Sequence, residues 1–234
     1  KDQGIYQQLA HDYEKSGWIE RLGHGAYTRA GDRVSWYGAL HAVQSQLKRS
    51  IHVGGKSALE LKGYEHFVAA GEGSYLYLFT DSNQRPPTWF TEHSWARRVS
   101  FRAARLFKDP KLGLTTHEVD HVSVEISAPE RAIFEVLHLV PQEQGFEEAR
   151  LLMEGLTGLR PKLVQTLLEQ CRSIKVKRLF LHLAQRCNHA WVKKLDLKRI
   201  KLGSGNRVIV PGGRFDPQYR ITVERETVVN EGAA

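Results

Sequence analysis

The chain has 234 residues, 41% of them hydrophobic and 26% charged, the makeup of an ordinary globular protein rather than a disordered or fibrous one. That length suits one large domain or a small domain joined to a medium one. A net charge of +8 and a pI near 9.5 favour a polyanionic partner, because lysine and arginine placed near phosphates release condensed counterions. Two cysteines, Cys171 and Cys187, give no basis for a disulfide framework and point to the reducing cytoplasm. No run approaches the ~18 apolar residues of a membrane span, and no charged-then-apolar signal opens the chain. The sequence begins at Lys1 without a methionine, directly in a helical pattern, so a native N-terminal piece is expected to be missing.

Residues 3–15 predict a helix, with Ile5, Leu9 and Tyr13 on one face and Ser16-Gly17 as its stop. Two short aromatic and β-branched runs, 18–22 and 26–29, flank Gly23-His24-Gly25 and predict a hairpin. A second helix over 35–48 carries Trp36, Leu40, Val43 and Leu47. A short strand at 51–53, a short helix at 56–62 and a strong strand at 75–79 follow; 81–87 reads as a loop with two prolines. Residues 99–103, 114–119 and 122–126 read as strands, the last with Val122, Val124 and Ile126 on one face. Ser127-Ala128-Pro129-Glu130 has the spacing of a capping box and opens a helix that Pro141 ends. Helices over 146–154, 161–171 and 175–186 and Gly-rich strands at 207–210 and 219–223 complete the chain.

The irregular order argues for an α+β fold, with a boundary near residues 31–35. The expected organisation is a partial N-terminal winged helix over 1–33, then an α+β domain over 34–234 built on a mixed, largely antiparallel sheet flanked by helices.

A helix followed at once by a basic, aromatic hairpin is the second half of a winged helix, in which the helix enters the major groove. Glutamine suits adenine, since its amide donates and accepts along one base edge. Gln3, Gln7 and Gln8, with Tyr6, are therefore the candidate base readers. Lys15, Arg21, His24 and Arg29 are the candidate phosphate contacts, which position the protein without reading sequence. The competing reading is a solvated helix and hairpin that only pack on the main domain.

The run from Tyr13 to Arg29, YEKSGWIERLGHGAYTR, resembles the winged-helix segment of AbiEi-type antitoxins. The likeness continues through Gly31-Asp32, Trp36, Gly38-Ala39-Leu40 and His52-Val53-Gly54-Gly55-Lys56-Ser57-Ala58-Leu59. Ser127-Ala128-Pro129-Glu130-Arg131-Ala132, Leu159-Arg160-Pro161-Lys162, Lys177-Arg178-Leu179-Phe180-Leu181, the run LGSGNRVIV over 202–210 and Gly212-Gly213-Arg214-Phe215 resemble that family's C-terminal domain. The ordered co-occurrence carries the resemblance; no single piece is specific. It implies an autorepressor that binds inverted repeats in its own promoter as double-stranded DNA. It further implies a C-terminal domain that neutralises a nucleotidyltransferase-like toxin without a stable complex, a cytoplasmic protein monomeric in solution, and no cofactor.

Residues 172–207 hold eleven cations and one acid, Asp196, whereas 108–150 hold nine acids and four cations. Such segregation either creates a polyanion surface or lets the two segments pair. The partner on such a surface could be promoter DNA, an RNA or the toxin's nucleotide substrate. Arg178, Lys193, Lys194 and Arg199 are the leading contacts, with Arg160 and Arg207 on the same expected antitoxin surface. Lys56 joins them because a helix start preceded by two glycines can bind an anion, although Ser50 stands where a P-loop needs glycine.

No catalytic set or metal site is expected. Cys171, His182, Cys187 and His189 lack the paired spacing of a zinc site. Asp120 and Glu125 lack the following lysine that a magnesium-dependent nuclease uses. The alternatives to an antitoxin regulator are a metal-dependent nucleic-acid-processing enzyme and a module that docks directly on the toxin.

Overall fold

The computed structural model describes residues 2–64 and 75–225, with side chains from Gln8 onward. Helix α1 (Asp2–Lys15) ends where the Ser16 hydroxyl donates to the Asp12 carbonyl and Gly17 turns to φ +75°. Strands β1 (Ile19–Gly23) and β2 (Ala26–Arg29) form the expected antiparallel hairpin, with Gly25 at φ +73° in its tip.

Helix α2 (Trp36–Ser45) starts under Ser35, whose hydroxyl accepts from Gly38 N–H at 3.3 Å. It buries Ala39, Leu40 and Val43. Beyond it lie β3 (His52–Val53), α3 (Gly55–Leu61), β4 (Tyr75–Thr80), α4 (Thr88–Glu92), β5 (Arg98–Ala103), β6 (Leu114–Val119) and β7 (Val122–Ser127). The five strands form one sheet in the order β5–β4–β3–β7–β6. Pairings β3–β4 and β6–β7 are antiparallel, β4–β5 and β3–β7 parallel, so the antiparallel share is smaller than the sequence suggested. Helix α4 is part of the reason: it lies in the β4–β5 connection, and five residues are too few to show a helical period.

Helix α5 (Pro129–Leu139) is buried on nearly every side, with Ile133, Phe134, Val136 and Leu137 fully enclosed. Helices α6 (Phe146–Gly155), α7 (Pro161–Gln170) and α8 (Ile174–Arg186) surround it, and Phe134 stacks on Phe180 at 4.5 Å. A second sheet, β8 (Arg207–Val208), β10 (Ile221–Val223) and β9 (Arg214–Asp216), closes the chain in the order β8–β10–β9.

The predicted capping box at Ser127 does not form. Ala128 occupies the N-cap, the Ser127 hydroxyl donates to Glu135, and Glu130 takes Arg160. Tertiary partners outcompete the local cap because these side chains are buried and need full-strength acceptors and donors.

Glu135 organises the middle of the fold. Its carboxylate faces His52 Nε2 at 2.8 Å and accepts from Gly55 N–H at 2.9 Å, Ser127 Oγ at 2.8 Å and Arg131 Nε at 2.8 Å. Arg131 in turn donates to the carbonyls of Pro110 and Leu112 and to Asp81. Burial disfavours the charged carboxylate, but the charges and hydrogen bonds of His52 and Arg131 outweigh it and hold Glu135 down at about 2.

That depression gives the sign of the pH dependence. Stability from Glu135 is fully present above the ordinary carboxylate value of 4.5 and is lost as the pH falls through about 2. The urea midpoint should therefore drop between those limits. Glu135→Gln should show a smaller drop, starting from a protein already weakened at neutral pH by about 3–5 kcal/mol, because Arg131 loses one of its two buried carboxylate partners and keeps only Asp81.

Candidate nucleic-acid interface

The hairpin register places Ile19 opposite Arg29 and Arg21 opposite Tyr27, so these four share one face, and Glu20 and Thr28 the other. Arg21, Arg29, His24 and Lys15 are all exposed. Beside them Trp18 is 70% exposed, and with Tyr13, Ile19, Tyr27 and Arg29 it lines a shallow hollow of about 540 Å³. Cations on a twisted ribbon beside exposed aromatic rings can meet a phosphate backbone and pack on sugar or base. Gln8 is exposed on α1, its amide 3.3 Å from Asp12. The side chains of Gln3, Tyr6 and Gln7 lie outside the described residues.

The hairpin is seated on α4. A Cβ on Gly23 would stand 2.4 Å from the Trp89 Cβ, so the α4 backbone and ring base lie directly against this glycine.

The sequence-derived polyanion residues divide. Arg160, Lys194 and Arg199 come together around a groove of about 870 Å³ between α7 and the short 3-10 turns Val192–Lys194 and Leu197–Arg199, with Lys162 on the same rim. Arg160 pairs with Glu130 and Arg199 with Glu169, yet each side chain stays 64% exposed. Lys193 and Arg207 are exposed but do not line this groove.

Arg178 is 1% exposed and is no surface contact: it donates to the carbonyls of Leu202, Gly203, Gly205 and Arg220. Its role is to pin the last sheet and its loops onto α8. Lys56 is also committed, to Glu148 at 2.7 Å, and it lies over the Tyr77 ring. The two glycines before it serve close packing instead of a phosphate. A Cβ on Gly54 would sit 2.3 Å from the Glu135 carboxylate, which already occupies the start of α3. Charge patterning could not reveal this, because burial and partners are tertiary properties.

The acidic segment finds most of its ion-pair partners outside the basic one, with Arg186 of the basic stretch adding to the charge around Glu147. Among the described residues Glu130, Glu135, Glu143, Glu147 and Glu148 pair with Arg160, Arg131, Arg102, Arg150 and Lys56, all outside 172–207.

The residues weighed for metal chemistry are spread apart. Cys171 Sγ points to Ser173 O, His182 holds Asp216 at 2.5 Å, and His189 faces Met153 O. Asp120 accepts from the Tyr37 hydroxyl at 2.6 Å. Among the described residues no group of three or more His, Cys, Asp or Glu could hold a metal ion. The His182–Asp216 pair, which sequence reading missed because 34 residues separate its members, borders a cavity of about 360 Å³ with Arg186, Arg214 and Gln185. A carboxylate on Nδ1 orients the imidazole ring.

Residues 74–224 match a family model described as a transcriptional regulator, AbiEi antitoxin, of type IV toxin–antitoxin systems. Residues 1–70 match the model of the AbiEi antitoxin N-terminal domain. No curated protein matches the sequence. Among solved structures, the RV2827C protein from Mycobacterium tuberculosis shares the fold with a TM-score of 0.63 at 13% identity, over 92% of this chain and 78% of that one.

The contact at Gly23 is open to test. Gly23→Val should push the hairpin off Trp89, costing about 1–3 kcal/mol through overpacking. Amide exchange should then rise across residues 19–29 while α5 and α8 keep their protection. Unchanged exchange in the hairpin would show that the glycine is not needed for the seat.

Proposed function

This chain belongs to the AbiEi antitoxins, transcriptional regulators of type IV toxin–antitoxin systems, and from that premise we propose that it represses its own operon and counters a nucleotidyltransferase-like toxin. In this reading α1 and the β1–β2 hairpin bind inverted repeats in double-stranded promoter DNA. The protein is a cytoplasmic monomer that pairs up on the repeat, and it has no catalysis of its own. Among the described residues no helix is long and apolar enough to cross a membrane.

The observation that carries the proposal is the exposed cationic edge of the hairpin, Arg21, His24 and Arg29, next to α1 with Lys15. Helix plus basic ribbon is the geometry of major-groove reading with backbone clamping. The groove bearing Arg160, Lys194 and Arg199 is the proposed antitoxin surface, used without a stable toxin complex.

Mobility-shift titration on the DNA upstream of the gene, across a salt series, tests the reader. Arg21→Ala should weaken binding to all duplexes alike and lower the salt slope by about one. Gln7→Ala should cost about 1–3 kcal/mol on the operator alone and relax sequence preference. Equal affinity for operator and random duplex in the wild-type protein would sink autorepression. Arg199→Ala combined with Lys194→Ala should reduce rescue of cells expressing the toxin while promoter binding stays intact.

A further inference from the structure

The network around Glu135 leaves one acceptor over. Arg131 Nη2 donates to Asp81 Oδ2 at 2.5 Å, and the Asp81 side chain is 7% exposed. Its second oxygen, Oδ1, is buried and has no hydrogen-bond partner among the described residues. A carboxylate accepts at both oxygens, and leaving a buried acceptor unmatched is costly. Arg131 does not make up the difference, because its single charge is divided between Asp81 and Glu135.

Asp81 lines a cavity of about 350 Å³. Strand pairing identifies the face on which it opens. His52 opposes Phe79 and Val53 opposes Ile126, so by alternation, carried one residue past β4, Asp81, His52 and Glu125 share one face of the sheet. Arg131 reaches Asp81 from α5, which makes this the face that α5 covers. The segment after β5 closes the other side with Asp109, Pro110 and Leu114, and Arg131 holds it by donating to the Pro110 and Leu112 carbonyls. Strand β3 lies between β4 and β7, so Asp81 and Glu125 issue from strands about 10 Å apart.

The charge of this cavity opposes that of the whole chain. Three carboxylates, Asp81, Asp109 and Glu125, line it against one lysine, Lys111, in a protein whose net charge is +8. His52, also in the lining, is turned to Glu135. Asp109 accepts from Lys111 N–H through Oδ1, and Glu125 is tied to Gln44 through its backbone alone. The three acids lie at different depths: the Asp81 side chain is enclosed, Glu125 is half-buried and Asp109 is exposed. Pro110 and Leu114 add an apolar wall. Acids at two depths beside an apolar wall complement a short alkyl chain with an ammonium at each end. A metal fits less well, since among the described residues no group of three or more His, Cys, Asp or Glu could hold one.

We propose that this cavity binds a small aliphatic diamine, with one ammonium donating to Asp81 Oδ1 and the other meeting Asp109 and Glu125. The inner ammonium supplies the hydrogen bond that Oδ1 lacks. It also supplies a second positive charge beside two carboxylates that share one guanidinium. A buried water would give the bond without the charge, and that difference separates the two in experiment.

The test titrates the full chain with putrescine, with butylamine and with sodium chloride at equal ionic strength. Calorimetry and the amide shifts of residues 81, 109–114 and 125 are the readouts. Saturable putrescine binding is expected, with a rise in urea midpoint because the ligand binds the folded chain alone. Butylamine should bind about tenfold more weakly or worse, for want of the second ammonium. Asp81→Asn should abolish saturable binding: the amide keeps an acceptor for Arg131 but offers the ligand no charge. Glu125→Gln combined with Asp109→Asn should lower putrescine affinity about tenfold or more. That pair decides the matter if Asp81→Asn fails to fold, because neither carboxylate is enclosed. Glu147→Gln, on α6, should leave the affinity unchanged. Shifts that sodium chloride reproduces, equal affinity for butylamine, or wild-type affinity in the Glu125 and Asp109 double variant would overturn the proposal.

Discussion

One buried carboxylate holds together elements far apart in the chain. Glu135 sits 83 residues from His52 and 80 from Gly55, yet bonds both, together with Ser127 at the end of β7 and Arg131 one turn back on α5. An isolated charge in that position would be untenable. With its donors in place it fixes where β3, α3, β7 and α5 meet, and through Arg131 it reaches Asp81 after β4. The arrangement also dictates neighbouring residues: Gly54 has no room for a side chain because the carboxylate and Phe79 fill that space.

The same constraint bears on how the protein is divided. The two family models part between residues 70 and 74. Strand β3, from the N-terminal side of that divide, lies between β4 and β7 from the other side. Gln44 on α2 adds to the tie, bonding the Ile51 carbonyl at 2.7 Å and both backbone groups of Glu125. The two matched segments therefore share one hydrophobic core. With Gly23 resting on Trp89, the hairpin sits on that shared body.

Charge in this chain is sorted by burial more than by sequence position. Near the start of α8, Lys175 and Arg178 serve as internal clamps on carbonyls, whereas Lys193 and Arg207 further along the same basic stretch stay exposed. Arginine suits the clamp role because its planar fork can address several carbonyls at once, as Arg178 does.

The sequence by itself determined the α+β class, the α1–hairpin unit, the positions of α2, α5, α6, α7 and α8, and the family, because those rest on local period, turn residues and ordered motifs. It also put Arg21 and Arg29 on the strands and His24 at the tip of the hairpin, since strand and turn residues are a local pattern. Helix α4, strand β9 and the parallel β4–β5 pairing were not legible, being too short or set by contacts across the sheet. Only the tertiary structure decided that Ser127 and Glu130 abandon a capping box and that Arg178 and Lys56 are internal partners. Each depends on which groups lose water on folding, and a linear pattern of charges does not record that.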